Sequence, residues 1–352
     1  MRAATPLASI VLAAALCLGC SRPFFHPETG LRGTPDQIGF AYQDVAFASE
    51  DGVRLRGWLV RAHPGPARAT VVFLHGNAEN VSTHLGNVLW LCSAGFDVFL
   101  FDYRGFGLSD GSPDLTGVGN DAVAALHAIR SQPGVDPERI LVFGQSLGAS
   151  IALSAVARTL PQAPVVALIA DSAVADWQLV ARQALARWWL TWPLQWPLSL
   201  MAPSEPNPLR AAASLGDLPL LFVAGDADEV VPPEHSRRLQ AAAGPHAELW
   251  IAPGASHIAT FSNPLWRLRL VVWIEAALER AHPSAVASLR DLRSPSGSDL
   301  AIPLRRAGQL ADRAASTQRG WYARRSMPRE SSGWESSDRS LQRSLQVGDE
   351  LD

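Results

Sequence analysis

The sequence predicts an α/β fold, with a mostly parallel central sheet, helices on both faces and a tryptophan-rich cap insert. Three observations carry this. Short apolar runs such as "ATVVFLHG" and "DVFLFDYRG" alternate along the chain with segments of helical spacing. Strands separated by helices run parallel, because a strand returning in the same direction needs a long crossover. The runs are apolar at nearly every position, as strands covered on both faces are. Apolar residues make up 47% of 352 residues and charged ones 18%, enough for one large core.

The elements follow in order. Residues 1–20 read as a signal segment: Arg2 is the positive start, and Ala3 to Leu18 is an uncharged run shorter than the ~20 residues of a spanning helix. It ends in "LCLGC", which resembles the lipobox of bacterial lipoproteins, although Cys17 stands where an aliphatic residue is usual. That resemblance implies lipidation at Cys20 and a membrane-anchored lipoprotein of the cell envelope, facing the periplasm or the exterior. An ordinary cleaved signal or an uncleaved anchor are the alternatives. Residues 21–42 read as an N-terminal linker and 43–281 as the α/β domain. "DVAFAS" and "RLRGWLV" form an antiparallel opening pair around Glu50–Gly52. Buried strands are expected at Ala69–Gly76, Asp97–Gly105, Ile140–Phe143, Val165–Ala170, Leu220–Ala224 and Glu248–Ile251. Helices are expected at Leu85–Ala94, Asp121–Arg130, Ala149–Val156, Glu234–Ala243 and Pro264–Arg280.

Two segments break the rhythm. The insert at about 174–213 contains Trp188, Trp189, Trp192 and Trp196 among prolines, between two core strands. Its rings either wall an acyl chain, dip into a lipid interface, or pack the cap on the sheet. Residues 282–352 turn to Ser, Arg, Asp and Pro and read as a disordered tail, with a short helix near Leu304–Ala315.

Composition excludes several functions. The net charge of -3 gives no argument for a nucleic-acid partner, and none is expected. The chain has no lysine, so Schiff-base and P-loop chemistry are absent. There is no HExxH and no paired cysteine set, so no metal and no cofactor is expected. Once a cleaved signal and an acylated Cys20 are set aside, only Cys92 remains, which cannot make an internal disulfide.

The chemistry centres on "VFGQSLGAS". Ser146 lies between Gly144 and Gly148, where an apolar strand turns into a helix. Such a serine sits on a tight turn with its hydroxyl exposed. A hydroxyl is a poor nucleophile and needs a base; imidazole suits neutral pH. His257, in "APGASH" after a strand, is the candidate. A carboxylate must hold that imidazole, and Asp226 and Asp228 both follow the strand at Leu221. The backbone N–H groups of Asn77 and Leu147 are the candidate oxyanion hole. His75 reads as a structural brace of that loop, and His84, His127, His235 and His246 have no motif around them.

Together "VVFLHGNAEN", "FDYRGFGLSDGSP", "GQSLGA", "GDADEVVP" and "GASH" resemble the α/β-hydrolase superfamily, most closely its serine aminopeptidase-like and membrane-anchored α/β-hydrolase-domain branch. The resemblance covers about Cys20 to Arg280 and implies the α/β-hydrolase fold with a Ser146–Asp228–His257 triad. It favours Asp228 over Asp226, because "GDADEVVP" is similar to the family's acid loop. It departs at Glu79, where glycine is common, and in the tail. It implies a serine hydrolase that cleaves carboxylic esters or thioesters of a small or acylated substrate through an acyl-enzyme. A serine aminopeptidase-type amide hydrolase and a non-catalytic lipoprotein binding module are the alternatives.

Overall fold

The computed structural model describes residues 25–160, 162–186, 192–200, 202 and 204–283. The signal segment with Cys20, the tail beyond residue 283, Trp188 and Trp189 lie outside them.

The elements alternate as the apolar runs require. They are β1 (His26–Pro27), β2 (Tyr42–Ala48), β3 (Arg54–Val60), β4 (Thr70–Leu74), β5 (Ala78–Glu79), α1 (Val81–Val88), α2 (Trp90–Ser93), β6 (Asp97–Asp102), α3 (Leu115–Arg130), β7 (Ile140–Gln145) and α4 (Leu147–Thr159). Then come β8 (Ala167–Asp171), α5 (Trp177–Ala186), α6 (Gln195–Ser199), α7 (Pro208–Ser214), β9 (Leu220–Gly225), α8 (Glu234–Ala243), β10 (Ala247–Ala252) and α9 (Pro264–Ala281). Eight strands form one sheet in the order β10-β9-β8-β7-β4-β6-β3-β2. β3 runs antiparallel to both of its neighbours, β2 and β6; the remaining pairs are parallel.

Side chains alternate across each strand. Val72 and Leu74 of β4 join the core that includes Leu126, Leu153 and Leu239. Val71 and Phe73 join the core on the opposite face with Leu85, Leu91 and Ile274. Both faces are thus covered by helices, which is why these strands read as unbroken apolar runs.

Helix starts are set by caps that periodicity alone does not reveal. The Asn80 side chain accepts from Ser82 N at 3.0 Å, so α1 begins at Val81 rather than Leu85, and the helical run breaks at Leu89 before α2. Asp114 accepts from Gly117 N at 2.8 Å and starts α3 at Leu115 rather than Asp121.

The segment expected as a linker packs against the domain from Phe25 onward. Phe25 is buried, with its ring edge-on to Phe106. β1 pairs in parallel with β5, and the Asn80 amide donates to Glu28 O and Gly30 O. The backbone N–H of Gly107 adds a bond to Glu28 O at 2.9 Å. The segment's polar sequence hid this, because the strap is held by backbone groups.

Between β8 and β9 the expected cap is present as α5, a 3-10 turn at Trp192–Leu194, α6 and α7. Trp177 is its buried anchor, its indole donating to Pro206 O. Trp192 and Trp196 are 59% and 61% exposed, so these two rings do not pack the cap onto the sheet. Among the described residues, no helix is long and apolar enough to cross a membrane.

One buried ion pair ties the opening hairpin to α3. The Arg104 guanidinium bonds Asp121 Oδ1 at 2.7 Å, Asp51 Oδ2 at 2.7 Å and Ser49 Oγ at 3.1 Å. Asp121 is fully buried, whereas Asp51 is half-exposed. Removing Asp121 takes away the buried partner of the guanidinium and leaves the half-exposed Asp51 as its remaining anion. Asp121→Ala is therefore expected to lower stability by about 3–5 kcal/mol, and Asp51→Ala by about 1 kcal/mol or less. Denaturant unfolding of the two variants checks this; equal losses would show that burial does not set the strength of the cluster.

Candidate active site

Ser146 follows the last residue of β7 and adopts φ 55° and ψ -119°, with α4 starting at the next residue. Its N–H donates to Asp171 O at 2.8 Å. The two flanking glycines are required by contact. A Cβ at Gly148 would lie 2.2 Å from Leu74 O, and one at Gly144 would lie 2.5 Å from Ala149 Cα. Both distances are below any real contact, so the strand, the turn and the helix close up only without those side chains.

The loop after β10 brings His257 to this turn. His257 Nε2 lies 2.9 Å from Ser146 Oγ, and its Nδ1 lies 2.8 Å from Asp228 Oδ2. Asp228 Oδ1 accepts from the N–H groups of Val230 and Val231, both at 2.9 Å. Burial works against the Asp228 charge. The bond to His257, its charge and the two N–H groups outweigh burial and hold the carboxyl below its ordinary value. Asp226, the other sequence candidate, accepts from Gly254 N at 2.6 Å and braces the histidine loop instead.

The loop before Asn77 comes close to Ser146: a Cβ at Gly76 would lie 3.7 Å from Ser146 Cβ. Leu147 is the first residue of α4, where backbone N–H groups have no acceptor within the helix. Asn77 follows β4 on the loop that β1 secures, through His26 N to Asn77 O at 3.2 Å. Under this loop, His75 is fully buried, and its Nδ1 lies 2.8 Å from Gly76 O. Tyr103 donates its hydroxyl to His75 O at 3.1 Å. Burial, with the neighbouring His84 adding to it, pushes His75 down to about 3, so the ring is neutral. Asp102 Oδ1 lies 3.7 Å from His75 Nε2, and burial pushes its carboxyl up to about 7 against the N–H groups of Val81 and Leu108.

The four non-glycine residues with positive φ among those described are Glu79, Ser146, Ser172 and Ile258. Ser146 is the candidate nucleophile, Ile258 follows His257, and Glu79 lies two residues after Asn77. The Ile258 N–H points to Ser172 Oγ at 3.5 Å. Strained backbone gathered in one place is typical of functional sites.

A cavity of about 240 Å³ opens beside His257, lined by Glu79, Thr83, His84, Asn87, Gln145 and Phe261 among others. A polar chain runs behind it. Asn87 Nδ2 donates to Gln145 Oε1 at 3.1 Å, and Gln145 Nε2 donates to Asp171 Oδ2 at 2.9 Å. Asp171 is completely buried, which pushes its carboxyl up to about 6 against the bonds from Gln145 and Ser172. Sequence reasoning missed Gln145, Asp171 and Asn87. The position of Gln145 directly before Ser146 was the signal available.

The remaining histidines serve elsewhere. His235 is buried and accepts from Ala175 N at 3.1 Å, which braces the cap on α8. His246 is exposed beside Asp217. Cys92 is a buried free thiol, and burial pushes its pKa well up. Among the described residues, no cluster of three or more His, Cys, Asp or Glu side chains could hold a metal ion.

Known proteins resemble this chain in sequence and in fold. A family model described as serine aminopeptidase, S33, matches residues 65–208. The uncharacterized protein YfhR of Escherichia coli K12 is 35% identical over 261 residues, covering 72% of this chain and 87% of that protein. The α/β hydrolase domain-containing protein WAV2 of Arabidopsis thaliana is 30% identical over 240 residues, 63% of this chain and 77% of that one. The chain belongs to the α/β-hydrolase superfamily. Solved structures of this superfamily agree on the fold. A Pyrococcus furiosus esterase, Pf2001, superposes with a TM-score of 0.58 at 24% identity, over 72% of this chain and 98% of that one. An α/β hydrolase from Vibrio vulnificus gives 0.59 at 20% identity, over 77% and 95%.

The buried carboxyl of Asp102 is expected to make the stability of this α/β-hydrolase depend on pH. A carboxyl raised from near 4 to about 7 binds its proton more tightly in the folded chain. Its contribution favours folding on the acid side and is lost as pH rises through about 7. His75, pushed down by burial, works the opposite way at lower pH, so the comparison needs a variant. Between pH 5 and 8 the parent is expected to lose at least about 1.4 kcal/mol more stability than Asp102→Asn, the equivalent of one pKa unit. Urea unfolding at both pH values measures this. Parallel losses in the two chains would mean that Asp102 titrates as an exposed aspartate does.

Proposed function

We propose that the chain is a serine hydrolase that cleaves carboxylic esters or thioesters through an acyl-enzyme on Ser146. The observation that carries this reading is the unbroken hydrogen-bond line from Ser146 Oγ through His257 to Asp228, at 2.9 and 2.8 Å. Asp228 accepts from Nδ1–H, which leaves Nε2 as the basic atom facing the hydroxyl. Ser146 Oγ attacks the carbonyl carbon as its proton passes to His257. Asp228, kept ionised by its bonds, stabilises the imidazolium. The oxyanion of the tetrahedral intermediate is received by the N–H groups of Asn77 and Leu147. As the intermediate collapses, the C–O or C–S bond breaks and His257 returns the proton to the leaving group. Water then repeats the sequence on the acyl-enzyme and frees the acid.

Ester cleavage is favoured by the likeness to an esterase structure. A second reading, amide cleavage at an amino terminus, has the description of the matched family in its favour. Attachment to the cell envelope through Cys20 is proposed on the sequence alone, and Cys20→Ser is expected to release the protein from membranes.

Labelling with a fluorophosphonate and a series of p-nitrophenyl esters test the mechanism. Ser146→Ala is expected to abolish both labelling and turnover while leaving the fold intact. His257→Ala should be nearly as damaging, because the three groups act as a unit. Asp228→Asn should lower kcat by about 10³–10⁴, and Asp226→Asn far less. Turnover by Ser146→Ala within tenfold of the parent would sink the mechanism, and a larger loss in Asp226→Asn than in Asp228→Asn would move the acid.

A further inference from the structure

The cap between β8 and β9 carries an apolar face that stands open to solvent. Trp192, Leu194, Trp196 and Leu200 are each at least half exposed. Single exposed apolar side chains are ordinary on a folded surface, whereas a group of large ones marks a place where something docks. The short helix α6 explains the grouping. Its Ser199 is buried and its Leu198 half-buried, while Trp196 and the following Leu200, four residues apart, share the outward side.

The charge of the cap says what kind of surface it fits. From Trp177 to Ser204 the sequence contains Arg182 and Arg187 and no acid, in a chain of net charge -3. The Arg182 guanidinium lies 4.3 Å from the centre of the Trp196 ring. This pairing suits the boundary between acyl chains and phosphate headgroups, where tryptophan takes the apolar depth and arginine the anionic layer. The place where residues 1–24 join the domain agrees. β1 pairs with β5, which follows β4, and Phe25 packs on Phe106 beyond β6. The cap follows β8. Because β4, β6, β7 and β8 run parallel, the entry of the N-terminal segment and the cap both lie at the carboxyl edge of the sheet. The segment itself contains the uncharged, mostly apolar run Ala3–Leu18.

We propose that this face docks on the surface of a phospholipid bilayer with anionic headgroups, with Trp192, Leu194, Trp196 and Leu200 in the interfacial layer and Arg182 at the phosphates. The carboxyl edge of the sheet, which carries Ser146, is thereby held toward the lipid. The proposal does not depend on the hydrolase reading above. A face of this kind binds reversibly by itself and orients a chain that is held at the membrane by other means.

Residues 1–24 contain no tryptophan, so quenching of tryptophan fluorescence by bromines on lipid acyl chains does not report on the N-terminal segment. The full chain is mixed with excess vesicles of phosphatidylglycerol and brominated phosphatidylcholine, and with the same vesicles without bromine. The parent is expected to lose emission in proportion to two of its twelve tryptophans. Trp192→Gln together with Trp196→Gln should remove more than half of that loss. Leu194→Glu together with Leu200→Glu keeps every tryptophan and should do the same, because a carboxylate resists leaving water. All four side chains are exposed, so both double variants should melt within about 2 °C of the parent; should one fail to fold, the other decides. High salt, or vesicles of phosphatidylcholine alone, should reduce the loss in the parent. No quenching in the parent, equal quenching in the parent and the folded variants, or a loss indifferent to phosphatidylglycerol would each overturn the proposal. So would a parent that is not quenched and sediments as a dimer which the glutamate pair converts to a monomer; the face would then be a contact between two copies of the chain.

Discussion

The turn at Ser146 can form only where two side chains are missing. β7, the turn and α4 converge so closely that the backbone carbonyls of Leu74 and His75 occupy the space of a Gly148 side chain. The same closeness aims the first N–H groups of α4 at the mouth of the sheet and presses the loop after β4 against Ser146. The hydroxyl, the helix end and the Asn77 loop are therefore one rigid unit. His257 and Asp228 arrive on separate loops and need only be delivered to it. The sheet delivers them by order alone. β9 and β10 lie side by side, and their carboxyl ends emerge on the same edge as that of β7.

Electrostatics around this unit divide the acids into two kinds. Asp228 is enclosed yet well supplied with donors, so it stays charged. Asp102 and Asp171 are enclosed with fewer donors, and both are raised toward neutrality. Asp171 is close enough to feel both His257 and Asp228.

Much of this was legible in the chain. Apolar runs identified the inner strands, because covering both sheet faces leaves little room for polar side chains along them. The Ser146, His257 and Asp228 candidates could be read because each lies just past the end of such a run. What could not be read depended on contacts distant in sequence. Asn80 and Asp114 fix helix starts through a single side-chain bond each, which leaves no periodic trace. Gln145, Asn87 and Asp171 form a chain only once β7, α1 and β8 are side by side. The strap at residues 25–32 looked like a linker because its attachments are mostly backbone groups, which every sequence has.

That strap makes the front of the domain a poor place to cut. Phe25 sits in the core, His26 and Pro27 extend a two-stranded ribbon with Ala78 and Glu79, and Glu28 is bonded to both Glu79 and Gly107. A shortened form starting after Glu28 would strip one strand from the loop that carries Asn77. A bulky fusion partner joined immediately ahead of Phe25 would pull on the same loop. For a shortened version the junction belongs upstream of Phe25 with slack in the connection, because residues 26–28 brace the loop that carries Asn77.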